Sequence, residues 1–168
     1  MPALNYFGTG PQNLAPGVDW SSAYNYSVFG YTGGYGFADN GSWSGLSMAG
    51  TNDSTSTMVL AFTQAVSGVG AFFNYAPHYF GPATIAVYDA SSNLIESTTL
   101  TFTTNGGTNQ GEFHGFLENT ATISYFTMTG AYMGATDFTV VAVPEPETYG
   151  MLLVGLGLLG VAARRRKA

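Results

Sequence analysis

The 168 residues suit one domain with an appendage, and the formal charge of −6 conceals an asymmetry: all four cations are Arg164, Arg165, Arg166 and Lys167. Residues 1–143 hold eight carboxylates and no Lys or Arg, which excludes a nucleic-acid binder and disfavours contact of the body with anionic lipid. There is no Cys and hence no disulfide or thiolate chemistry, while 23 Gly, 15% aromatic and only 8% charged residues read as an extracytoplasmic β protein.

Residues 1–25 are rich in Gly, Pro and Asn and read as irregular. MPALNYFGTGPQNLAPG has neither a basic n-region nor an apolar h-region, so the expectation is a truncated or misassigned start with a signal peptide upstream. From about Tyr26 short strands alternate with turns. Met58, Leu60 and Phe62 share one face of TSTMVLAF, Val69–Asn74 is a short apolar run, and Ile85 and Val87 alternate with Thr84, Ala86 and Tyr88 in PATIAVYD. ASSN (Ala90–Asn93) marks a turn, Leu94–Thr103 a return strand, and Asn105–Gly107 a second turn. Gly111–Leu117, Thr122–Met128 and Thr136–Ala142 complete the series. This spacing predicts an all-β antiparallel sandwich over residues 26–143, and no segment before Tyr149 has a helical period.

Pro144 and Pro146 fix φ and lack N–H donors, so residues 144–148 (PEPET) read as an extended linker. Residues 149–163 carry no charge and are apolar all round. As a helix they would reach about 22 Å, short of the ~30 Å hydrocarbon core. Local thinning and snorkelling of the basic residues make up the difference, so this segment is read as one C-terminal transmembrane helix. Residues 164–168 then stay in the cytoplasm, with Arg164, Arg165, Arg166 and Lys167 as a stop-transfer cluster.

Val143, Pro144, Glu145 and Pro146, followed by Glu147-Thr148-Tyr149, the apolar run and the RRRK cluster, resemble the PEP-CTERM sorting signal of bacterial exported proteins. The resemblance covers about the last 26 residues. It implies export, transient residence in the inner membrane, recognition by an exosortase, which is a membrane-embedded cysteine protease-transpeptidase, and removal of the tail near Pro-Glu-Pro. It also implies a link to exopolysaccharide and biofilm. In the body, FTQAVSGVGAFFNYAP, ATIAVYDASSNLIES and GEFHGFLENTATISYFTMTG resemble the sandwich ectodomains of such proteins, similar in pattern to galactose-binding-like jelly rolls. That likeness implies a fold and no particular ligand.

Several motifs suggest chemistry and are better read otherwise. Gly155, Gly157 and Gly160 have dinucleotide-loop spacing but lack the strand and βαβ unit the loop requires. GSWSG places Trp43 where a hydrolase elbow needs Ser. Glu112 and His114 fall on one strand face, a pairing more often structural than catalytic. Asp39 and Asp53, with Asn40 and Asn52, carry oxygens suited to Ca²⁺, yet DN and ND also favour turns. Trp43, Tyr35 and Tyr79 lie in Gly-rich stretches and are candidate sugar-stacking rings, weighed against packing over the ends of the sandwich.

The resulting expectation is an exported surface or extracellular-matrix protein, structural or adhesive, with no enzymatic activity and no cofactor. Its expected partners are an exosortase-type protease, the inner membrane transiently, and exopolysaccharide. A glycan-binding module is the first alternative and a polysaccharide-active hydrolase the next.

Overall fold

The structure is a computed structural model and describes residues 1–142. The short strands β1 (Tyr6–Phe7), β2 (Gln12–Ala15), β3 (Val18–Ser22) and β4 (Val28–Tyr31) come first. A ribbon of β5 (Tyr35–Gly36) and β6 (Ser42–Trp43) follows, then β7 (Met48–Gly50), β8 (Thr57–Val66) and β9 (Gly68–Asn74). A single helical turn, α1 (Pro77–Phe80), precedes β10 (Ala83–Tyr88), β11 (Leu94–Leu100), β12 (Glu112–Leu117), β13 (Ile123–Thr129) and β14 (Gly134–Val141).

Two six-stranded sheets face each other. Sheet A has the order β1-β4-β7-β14-β9-β12 and sheet B the order β11-β10-β13-β8-β3-β2, with every pairing antiparallel. After β8 the chain crosses between sheets repeatedly, so neighbours in sequence often lie on opposite layers. The expected all-β antiparallel sandwich is therefore the fold.

Alternation sets the core. Met58, Leu60 and Phe62 of β8, Ile85 and Val87 of β10, and Phe126 and Met128 of β13 point inward from sheet B. They meet Phe29, Val69, Ala71, Phe73 and Ala135 from sheet A. β-branched and aromatic residues suit a pleated surface buried on one face. Phe73 and Phe126 make an edge-on contact across the layers at 6.2 Å.

The turns follow the expected chemistry. Asp89 closes the β10–β11 hairpin, its Oδ1 accepting from the N–H of Ser91 and of Asn93, each at 2.8 Å. Gly107 donates its N–H to Asn105 Oδ1 at 3.1 Å in the second turn. Gly41 has φ +99°, and a Cβ there would stand 2.3 Å from the Gly107 carbonyl oxygen, so only glycine lets the β5–β6 ribbon meet this turn.

Residues 1–25 depart from the irregular reading. They contain β1, β2 and β3, and Val18 and Trp20 are core residues, so the sandwich begins well before residue 26. These strands are short and separated by Gly and Pro, which obscures their alternation. Strand β11 starts at the predicted Leu94 but ends earlier, at Leu100, and β14 runs from Gly134 to Val141, slightly N-terminal to its predicted limits.

Candidate functional site: aromatic surfaces and the C-terminal junction

The glycine-rich stretch 31–45 folds inward. Tyr35, Phe37 and Trp43 join Val28 and Met48 in a second apolar cluster. Trp43 donates Nε1–H to the Gln110 carbonyl at 2.6 Å, and the Asn52 N–H donates to the Tyr35 hydroxyl at 2.8 Å. Burial pushes the Tyr35 hydroxyl well above its ordinary pKa. Buried rings offer no open face, so the stacking role considered for Trp43 and Tyr35 does not apply. Apolar rings in a glycine-rich ribbon are drawn into the core because the ribbon has little other hydrophobic surface to bury.

Beneath this ribbon lies a polar knot. Asn40 Nδ2 donates to Asn74 Oδ1 at 2.7 Å and to the Tyr75 carbonyl at 3.1 Å. Asn74 Nδ2 donates to the carbonyls of Asn40 (3.0 Å) and Gln110 (3.1 Å). The Thr104 N–H donates to Asn40 Oδ1 at 2.6 Å. Asn40 is therefore a structural joint, a role hidden in the sequence by the apparent turn signal DN.

Tyr79 remains a surface ring, 71% exposed on α1. Phe80 beside it leans on Tyr132 with centroids 5.5 Å apart. His78 Nδ1 donates to Asp39 Oδ2. Asp53 lies elsewhere and accepts from Ser56 Oγ, and this bond together with backbone N–H groups holds its carboxyl below the usual range. The two candidate calcium carboxylates thus carry separate local partners. Among the described residues no three His, Cys, Asp or Glu side chains converge for a metal. Glu112 and His114 do share a face, with Nε2–H donating to Oε2 at 3.2 Å. The imidazole stacks on Phe102 at an interplanar angle of 13°, and among the described residues no third His, Cys, Asp or Glu joins the pair.

A surface missed in the sequence lies on the outer side of β9, β12 and β14. Pairing puts Thr136, Phe72 and Phe113 in one row, Thr139, Gly70 and Gly115 in the next, and Val141, Gly68 and Leu117 in the third. Phe72 is 43% and Phe113 50% exposed, and their rings meet edge-on at 5.5 Å. On one side of Phe72 a groove of about 210 Å³ runs past Asn109, Gln110, Thr136 and Asp137. On the other it opens toward Thr103, Asn105 and Glu112. The Gln110 Oε1 atom is buried and accepts no hydrogen bond. The sequence did carry a signal: Val69, Ala71 and Phe73 fix the inward parity of β9, so Phe72 must face out.

Strand β14 ends at Val141, where the described residues nearly end. Val143, Pro144, Glu145, Pro146, the segment 149–163 and the Arg164–Lys167 cluster lie outside them. No helix among the described residues is long and apolar enough to cross a membrane. The family model of the PEP-CTERM protein-sorting motif matches residues 142–167. This chain carries a PEP-CTERM sorting motif. The motif thus begins one residue after the last sandwich strand.

No protein of curated function matches the chain. Among solved structures it is similar to a fucose-binding module of Streptococcus pneumoniae (10% identity over 58% of this chain and 73% of that one, TM-score 0.40). It is also similar to a Clostridium stercorarium module solved with cellobiose (14% identity, 73% and 94%, TM-score 0.37). A third similar structure is the lectin domain of lectinolysin with Lewis b antigen (6% identity, 58% and 72%, TM-score 0.39).

Proposed function

We propose that this chain is an exported bacterial protein, delivered through its PEP-CTERM motif to an exosortase-type membrane protease and released to the cell surface or extracellular matrix. There the sandwich serves as a structural or adhesive component without catalysis of its own. The observation that carries this reading is the direct junction between Val141 of β14 and a sorting motif starting at residue 142. In the reading, the basic cluster resists translocation, because each cation costs roughly 2.5–3.5 kcal/mol at the bilayer centre on insertion scales. The apolar run stalls in the bilayer, and the two prolines keep Pro144-Glu145-Pro146 extended at the outer interface.

The test is expression behind a signal peptide in a host with an exosortase and in one without, with mass spectrometry of the mature C-terminus. Glu145→Ala or Pro146→Ala should leave unprocessed protein in the inner membrane. Intact protein retaining Arg164–Lys167 in the soluble cytoplasmic fraction of both hosts would refute the reading.

A glycan-binding role is favoured by one feature, the groove around Phe72. An exposed ring flanked by amide and carboxylate side chains suits a sugar, whose apolar face stacks while its hydroxyls bond the rim. Asn109 and Asp137 line the groove and carry the polar groups for such bonds. A glycan array with Phe72→Ala as control separates this role from a purely structural one.

A further inference from the structure

Among the described residues, no layer covers the outer face of sheet A at β9, β12 and β14. Phe72, Phe113, Leu117 and Val141 are each more than 40% exposed there. Glycines form the floor between them. A Cβ at Gly68 would lie 3.0 Å from Leu117 Cδ1 and 3.1 Å from Val141 Cγ2, so these side chains lie down over it. The result is a low apolar shelf rather than four separate projecting residues, and soluble monomers seldom leave such a patch bare.

We propose that this shelf is the docking surface for the chain's own apolar segment, residues 149–163, whenever that segment is outside a bilayer. Continuity is the first argument, because Val141 forms part of the shelf and the segment follows it after residues 142–148. Reach is the second. Seven residues span up to about 23 Å, whereas the shelf runs four strand residues, about 13 Å, from Phe72 to Gly68. The chain can therefore turn back onto it. Charge is the third. Every Lys and Arg of the chain follows the apolar segment directly, and residues 1–142 offer only carboxylates to meet them, with Asp137 and Glu118 next to the shelf residues Thr136 and Leu117. Need is the fourth: fifteen uncharged residues in water must bury their surface somewhere. The shelf is joined to them by a short linker, so they meet it at high effective concentration without a second molecule. The inference rests on the apolar run and the shelf, and stands or falls independently of exosortase processing.

The test uses the full chain, made by cell-free translation without lipid, with Phe113→p-benzoylphenylalanine as a photo-cross-linker. Irradiation should join position 113 to residues 149–163 within one molecule, as read by peptide mass spectrometry. The same label at Leu94, exposed on the far edge of sheet B, should not form this link. Leu117→Lys should cut the yield several-fold with an unchanged circular dichroism spectrum. If that variant does not fold, the labelled chain alone still decides the matter. Phosphatidylcholine vesicles should abolish the link by drawing the segment into lipid. Without vesicles, links from position 113 only to a second copy, or no link to the segment, would each overturn the proposal, as would a link to the segment that persists undiminished with vesicles.

Discussion

The ring of Phe113 lies across the backbone of Gly70, so that a Cβ at position 70 would stand 2.8 Å from Phe113 Cζ. It would also stand 2.9 Å from the His114 carbonyl oxygen and 3.2 Å from Gly115 Cα. The first neighbour can swing away, but the other two are backbone. Gly70→Ala should therefore cost about 1–3 kcal/mol in chemical denaturation. In a Phe113→Ala background the cost should shrink without vanishing, which a double-mutant cycle would measure.

The Asn40–Asn74 knot should be among the more sensitive polar sites. Asn74→Ala removes the acceptor of Asn40 Nδ2 and of the Tyr75 N–H, and strips a donor from two carbonyls. Buried groups left without partners cost about 1–3 kcal/mol each, so a fall in unfolding free energy of at least 2 kcal/mol is expected. Asn74→Asp should not rescue it, since a carboxylate cannot donate to the Asn40 and Gln110 carbonyls.

Alkaline stability should report Tyr35. Burial raises its folded pKa above the ordinary value of 10.0, so its contribution is complete below that value. It is lost as the pH rises from there toward the folded value. Burial also raises Tyr75, which adds to the same limb. Tyr35→Phe should lower stability at neutral pH, through loss of the Asn52 bond, and flatten the decline above pH 10.0. Unfolding midpoints across that range would check it.

Acid stability should show the opposite sign at Asp53. Its folded pKa is depressed below 3.8, chiefly by the Ser56 hydroxyl, so its contribution is present above that value and lost as the pH falls through the folded one. Asp53→Asn should make the acid limb slightly less steep, and Ser56→Ala should act in the same direction. Both effects should be small, because the residue is only partly buried and solvent screens it.

Sugar binding, if mediated by the Phe72 groove, should fall about tenfold or more with Phe72→Ala. Asp137→Asn should weaken it less, and Tyr79→Ala, on a different surface, should leave it unchanged. Titration calorimetry with an array-selected glycan would rank the three.

The strongly alternating strands were legible because one buried face imposes a period of two: Met58-Leu60-Phe62 and Ile85-Val87 sit where the pattern puts them. Strand β3 has the same alternation in Val18, Trp20 and Ser22, but five residues are too few to stand out. Burial of Tyr35 and Trp43 was not legible. For Trp43 it depends on the 101–111 turn closing over the ribbon, a contact between residues more than sixty apart, and for Tyr35 on the cluster with Phe37 and Met48 and the bond from Asn52. The Phe72 surface was hidden by composition, since VGAFFN reads as uniformly apolar and only the parity of its neighbours separates the outward ring from the inward ones.

The strand that leads into the sorting motif is an interior one: β14 lies between β7 and β9. Near its end Val141 pairs with Gly68, and its carbonyl accepts from the Ser67 N–H at 2.9 Å. A tail held in a membrane or gripped by a protease pulls on this strand along its length. The load then runs along the β14–β9 ladder, which extends to Val141, while β7 flanks only Gly134 and Ala135 at the far end of the strand. Under the proposed function, tension from the tail would enter the sandwich along a strand paired with β9 as far as Val141 rather than through a free end.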